Sequence, residues 1–342
     1  MTITSKDYLE LRERIEHRGL LDHTPFYYFT VLFAYLASFV VLLLLIIFFN
    51  RWYTTALLSI FLAVVCIQFS FLGHEAGHRT ISRNRLANEI IGQISFSMVT
   101  GASFSSWNES HNRHHANPNH EDLDPDVNDG SPFSFTKKKA QLRTGIVKMI
   151  TRNQAFLLVP ALFMLVFIKR YIYAKPAFLN RNYLDLAFLA VHYALFFGAM
   201  THFIGFWQAI LLYSMVSMLM GFFFGFSFLP NHLGMPILKD DTNFSYLEKQ
   251  IITSRDIRGN FLLNFMTGGL NYQIEHHIFP SMPRRNLRRA KEVIKEFCHE
   301  KGIPYKDDSF LTAWKEVFLY ISSVSKQAGS GFFVVRAIND MI

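Results

Sequence analysis

Four stretches of this chain are long, apolar and almost free of charge, and they constrain the fold more than any other feature. Residues 27–49 carry no Asp, Glu, Lys or Arg. As a helix, that run of 23 residues extends roughly 34 Å, enough to cross a hydrocarbon core of about 30 Å. Residues 53–72 form a second uncharged run after the short break Asn50-Arg51-Trp52, so the two predict an antiparallel hairpin. Residues 184–203 and 207–229, joined by Ile204-Gly205-Phe206, predict another, interrupted only by Asp185, His192 and His202. The expected fold is all-α and integral to a membrane, with four spans in two hairpins. Residues 155–168 are apolar for too short a distance and contain Pro160, so they are expected at the interface. Residues 90–104 suggest a surface or re-entrant helix. Residues 286–301 place Leu287, Ala290, Ile294 and Phe297 on one face of an amphipathic helix, and another helix follows over 309–325.

Charge separates the two sides. Charged residues are 18% of the chain, below the roughly 25% of an ordinary soluble domain. The net charge of +8 would suit nucleic acid, but the apolar runs assign it to a membrane protein with its Lys and Arg gathered on one side. The two hairpin turns hold only Arg51; the N-terminal segment, residues 79–153 and the C-terminal region hold nearly all the rest. The positive-inside rule predicts both termini and the long middle segment in the cytoplasm. The first 26 residues are polar, so no cleaved signal peptide is expected. Two cysteines, Cys66 and Cys298, exclude a disulfide framework and Cys-rich metal sites and favour a reducing compartment. Residues 1–342 are expected to form a single domain.

Eight of the 14 histidines fall in four places that this topology puts on one face. His74 and His78 are spaced i,i+4. His111, His114 and His115 share one helical stripe, Gln273, His276 and His277 repeat that spacing with an amide in first place, and His232 lies just past the fourth span. Zinc takes about four ligands, so eight imidazoles imply two metals; composition leaves iron, zinc, copper and nickel open. Gln273 is either a ligand or an orienting group, and Asn231, Asp122 and Asp124 are candidates to hydrogen-bond the ligating rings. Arg284, Arg285, Arg288 and Arg289 suggest a surface for anionic lipid headgroups or a phosphate-bearing substrate or donor. His17, His23 and His299 are expected to be solvated, and His120, His192 and His202 to be structural.

The segments His74-Glu75-Ala76-Gly77-His78, His111-Asn112-Arg113-His114-His115 and Gln273-Ile274-Glu275-His276-His277 resemble the three histidine boxes of integral-membrane fatty acid desaturases. Asn231-His232 resembles the additional histidine of that family. The Gln opening the third box and the run Ile278-Phe279-Pro280-Ser281-Met282-Pro283-Arg284 are similar to the front-end group, which includes linoleoyl-CoA desaturases. The resemblance implies two iron ions at the cytosolic surface, held by His74, His78, His111, His114, His115, His232, His276 and His277. It also implies a fatty acyl substrate on CoA or a lipid, molecular oxygen, and a cis double bond as product; zinc can replace iron in recombinant protein. No His-Pro-Gly-Gly haem segment of a fused cytochrome b5 occurs, so a separate ferredoxin or cytochrome b5 with an NAD(P)H reductase is expected to supply electrons. A related membrane hydroxylase is the near alternative. From another class comes a membrane zinc protease, because His74-Glu75-x-x-His78 also matches the signature in which Glu is general base; it leaves six clustered histidines idle. A metal carrier would instead place its ionisable residues near the bilayer midplane.

Overall fold

A computed structural model describes residues 3–128, 131–240 and 243–329. The four apolar runs become helices Pro25–Phe49, Trp52–Gly77, Tyr183–Ile204 and Phe206–His232. The second is the centre of the bundle: 61% of its most apolar window is buried, against 6% for the first, whose side chains face outward. The first hairpin turns at Asn50, whose left-handed backbone (φ 31°) Asn tolerates, and the second at Gly205 (φ 84°, ψ 155°), a conformation that strains any residue with a side chain. These turns lie together. Asn50 Nδ2 donates to the Phe203 carbonyl at 3.4 Å and Gln208 Nε2 to Thr55 Oγ1 at 2.6 Å.

The opposite end carries the histidines. The second span runs on past residue 72 to Gly77, so its last turn presents His74, and the fourth ends at His232. Helix Phe104–Ala116 lies at this same end. Asp185, at the start of the third span, accepts from Ser105 Oγ at 2.8 Å and Ser105 N–H at 3.1 Å, and also pairs with Gln93 and Ser103.

Two segments carry more structure than the sequence expectation gave them. The segment expected at the interface over 155–168 is a bent pair of helices, Gln154–Leu162 and Leu165–Leu179, at 77° to each other. The apolar run ends at Lys169 and Arg170, but the helix continues because Arg170 is satisfied inside the protein. Its Nε donates to the Thr100 carbonyl and its Nη1 to Ser217 Oγ, both at 2.7 Å, and its guanidinium lies 4.7 Å from the Tyr213 ring centre. The pair packs against the fourth span on one side and helix Phe104–Ala116 on the other. Residues 90–104, expected as a surface or re-entrant helix, lie inside the bundle. Helix Arg85–Gly92 runs into a π-helix, Gln93–Thr100, whose Gln93, Ser95 and Ser97 are buried against the second and third spans.

A helical cap covers the histidine end. Helix Arg284–Lys301 buries Leu287, Ala290, Val293, Ile294 and Phe297 against Leu11 and Ile15 of helix Ser5–His17 and against Ile274 and Ile278 of helix Gln273–Ile278. Helix Phe310–Gln327 packs through Trp314, Val317 and Ile321 on the bent pair and the fourth span. Among the described residues, the departure from all-α is a parallel pair of three-residue strands, Asp256–Arg258 with Asp307–Ser309.

Candidate metal centre

Four chain segments deliver the eight histidines to one buried place. Among the described residues they fall into two groups. His74, His78, His111, His115 and His276 form one, and His114, His232 and His277 the other; within each, the candidate ligand atoms all lie within 4.8 Å of one another. The alternation follows from helix geometry. His111 and His115 are one turn apart and face the first group, while His114 is rotated towards the second.

In the five-membered group, Nε2 of His111 lies 3.0 Å from Nε2 of His78 and 3.1 Å from that of His115, whose Nε2 is 3.1 Å from that of His276. Two nitrogens each about 2.1 Å from one ion, at right angles, stand about 3 Å apart. The spacing therefore fits nitrogens gathered round a metal. Burial, reinforced by neighbouring imidazoles, holds His111, His115 and His276 well below the usual histidine range and His78 down to about 3. Neutral rings keep their lone pairs. His74 Nε2 is buried without a hydrogen-bond partner, and Trp107 stacks on His111 at 4.8 Å.

In the three-membered group every ring is held by its Nδ1. His232 Nδ1 donates to the Thr253 carbonyl at 3.0 Å, and His277 Nδ1 to Gln250 Oε1 at 2.9 Å. Gln250 is itself oriented by its Nε2, which donates to the His115 carbonyl at 3.0 Å. His114 Nδ1 donates to Asp124 at 2.9 Å; burial alone would lower this histidine, but the Asp124 carboxylate raises it. With Nδ1 protonated, each Nε2 presents a lone pair, and that of His277 is buried without a partner. Nitrogen-rich donor sets of this kind suit iron, zinc, copper or nickel.

The other candidates separate cleanly. Asp124 is 1% exposed and also accepts from the Asn119 N–H, whereas Asp122 is exposed and pairs with Lys138 at 3.3 Å, away from the rings. Gln273 Nε2 lies 2.9 Å from His232 Nε2, and Asn231 Nδ2 donates to Gln273 Oε1 at 3.0 Å. Arg284 leaves the proposed basic surface: its Nε donates to Glu75 Oε2 at 2.7 Å, and Tyr28 OH donates to Glu75 Oε1 at 2.5 Å. Arg285, Arg288 and Arg289 are exposed on the outside of the same helix. His120 stays outside both groups, its Nδ1 accepting from the N–H groups of Asp122 and Leu123. His192 bonds the Met98 carbonyl at 2.9 Å, and His23, expected to be solvated, is half-buried with Nδ1 3.0 Å from the Thr80 carbonyl.

Sequence reasoning missed the groups that hold the third box. Asp256 Oδ1 accepts the Ile274 N–H at 3.1 Å, and Tyr305 OH lies 2.8 Å from Asp256 Oδ2 and 2.6 Å from Glu275 Oε1. Burial and then Asp256 hold the Glu275 carboxyl well above the usual range. Nothing local in the sequence marks Gln250, Thr253, Asp256 or Tyr305 as partners of the boxes.

The fold and site together define an integral-membrane helical protein with two histidine-rich groups, at one end of its bundle, that could hold metal ions. Residues 50–309 match the family model for fatty acid desaturases, and the chain belongs to that family. It is 28% identical to an acyl-lipid (9-3)-desaturase of Physcomitrium patens over 94% of this chain and 63% of that protein. It is also 29% identical to the Delta(5) fatty acid desaturase fat-4 of Caenorhabditis elegans, over 92% of this chain and 72% of that protein, and 28% identical to fatty acid desaturase 3 of Bos taurus, over 91% and 71%. The chain thus spans about two thirds of the length of these relatives.

Proposed function

We propose that the chain is an oxygen-dependent fatty acyl desaturase of the front-end kind, carrying two iron ions on its eight clustered histidines. The observation that carries the reading is the division of those imidazoles into groups of five and three at the end of an apolar bundle. Iron bound there supplies the oxidising power that no side chain has for an unactivated methylene. The reaction balances as one –CH2–CH2– unit, O2, two electrons and two protons giving –CH=CH– and two waters.

The chain's own residues position and protect. Asp124, Thr253 and Gln250 fix three rings in the tautomer that binds metal, and the Phe- and Leu-rich second and fourth spans provide apolar walls for an acyl chain. The acyl group arrives on CoA or a membrane lipid, and Arg285, Arg288 and Arg289 offer charge for its phosphate-bearing head or for anionic lipids. Electrons come from a separate ferredoxin or cytochrome b5 served by an NAD(P)H reductase. The Lys and Arg asymmetry supports a cytoplasmic position for the site and termini. The protease alternative fails on Glu75, which a general base would need free and which Tyr28 and Arg284 occupy.

Expression in a host followed by gas chromatography and mass spectrometry of its fatty acids tests the reading. A new cis double bond, absent with the His114→Ala variant, supports it; a hydroxylated acyl product would establish the related hydroxylase, and an unchanged profile with iron-loaded protein would overturn both.

A further inference from the structure

Gln273 opens the third box at the place where a histidine would have completed a fourth nitrogen for the smaller group, and the question is which end of its amide faces the site. Three contacts answer it. Asn231 Nδ2 donates to the Leu270 carbonyl at 3.0 Å, and a backbone carbonyl only accepts, so the orientation of the Asn231 amide is fixed. The same Nδ2 lies 3.0 Å from the Gln273 side chain, which must therefore turn its oxygen towards Asn231. The Gln273 NH2 is left pointing at His232 Nε2, 2.9 Å away. His232 Nδ1 is protonated against the Thr253 carbonyl, so without an ion the Nε2 lone pair accepts from Gln273, and an ion bound by His232 takes that lone pair and leaves the Gln273 NH2 as a donor facing the site. Asn231 and Gln273 are 0% and 3% exposed, and no solvent competes for these bonds.

An amide NH2 has no lone pair to give a cation. To ligate through Oε1, Gln273 would have to turn over, losing the Asn231 bond and setting two NH2 groups against each other. We propose that Gln273 is a positioning residue that aims a hydrogen-bond donor into the three-imidazole group instead of serving as its fourth ligand, and that Asn231 holds it in that orientation. The inference rests on the two-metal reading. Its consequence is an asymmetric pair of sites: one ringed by nitrogen, the other with three nitrogens and an open side flanked by a donor, suited to the oxygen of water or dioxygen entering there.

Co(II) binding to the full chain in detergent, read by chelator competition and visible absorption, tests this independently of turnover. The Gln273→Ala protein is expected to bind two Co(II), as the native chain does, whereas His232→Ala loses one ion; a Gln273→Ala protein that holds only one Co(II) would overturn the proposal. Asn231→Leu releases Oε1, so the absorption of the smaller site should change as an oxygen ligand joins, and the change should vanish in Asn231→Leu/Gln273→Ala. An unchanged Asn231→Leu spectrum overturns the role given to Asn231. A native chain that binds only one ion overturns the two-metal reading itself, an outcome visible before any variant is compared.

Discussion

Arg284 and Glu75, 209 positions apart, form an ion pair at 2.7 Å that joins the first histidine box to the start of the cap helix, and their side chains are only 10% and 9% exposed. Removing one partner strands a buried charge, which costs about 3–5 kcal/mol. Arg284→Met should therefore lower thermal stability strongly while Arg285→Met, outside this pair, changes it little. Thermal unfolding of both in the same detergent decides the point, and equal midpoints would show that the pair does not stabilise the cap.

The two-metal reading predicts a stoichiometry. Purified chain should hold about two ions, and His114→Ala or His277→Ala should lose one of them and reduce desaturation by at least about 100-fold. Circular dichroism should show the helices intact. One tightly bound zinc together with protein cleavage abolished by Glu75→Gln would instead revive the protease.

Acid should loosen the metal-free cap. The folded value of His78 is depressed to about 3, and those of His111, His115, His276 and His277 are also lowered, chiefly by burial. The unfolded chain takes up these protons near pH 6.5 while the folded one does not. Stability is then fully present above that pH and is lost as pH falls towards 3; His114, raised by Asp124, works in the opposite sense. Melting of apoprotein should drop steadily from pH 7 to 5, and a flat profile would contradict the neutral buried rings.

Sidedness can be read by cysteine labelling, for which the two native cysteines are quiet because both are buried. Ala116→Cys and Asn243→Cys, at the histidine end, should react only in permeabilised cells, and Arg51→Cys, in the first hairpin turn, from outside intact ones. Labelling of Ala116→Cys and Asn243→Cys from opposite faces would break the shared site.

Turnover should require an added carrier. The expectation rests on the sequence, which contains no His-Pro-Gly-Gly segment, and on the two cysteines, which lie in separate hydrophobic clusters and so offer no paired thiolates for an iron–sulfur centre. The purified 342-residue chain given acyl substrate, oxygen and NADPH should be inactive until a ferredoxin or cytochrome b5 system is supplied; sustained turnover without one would refute the expectation.

The spans were legible because uncharged length is a local property. Each of the four helices begins within two residues of its apolar run, and the longest overrun, from Leu72 to Gly77, carries the polar His74-Glu75 turn that hydropathy alone excludes. The histidines were legible for the same reason, since i, i+3 and i+4 spacing puts rings on one stripe. Their division into five and three was not, because it depends on where His276 and His232 meet His115 and His114 across the chain. The bent pair escaped notice because Arg170 looks like the end of an apolar segment until Thr100, Ser217 and Tyr213 are seen to satisfy it.

The cluster draws its nitrogens from positions 74 to 277, so during synthesis neither group exists until the last box has left the ribosome. Arg170 must likewise wait for Ser217 of the fourth span before its charge is accommodated. On the two-metal reading, metal loading would be a late event in biogenesis: a nascent chain halted before the third box would hold an incomplete set of ligands, and ion capture would itself report that all four spans had been made and brought together.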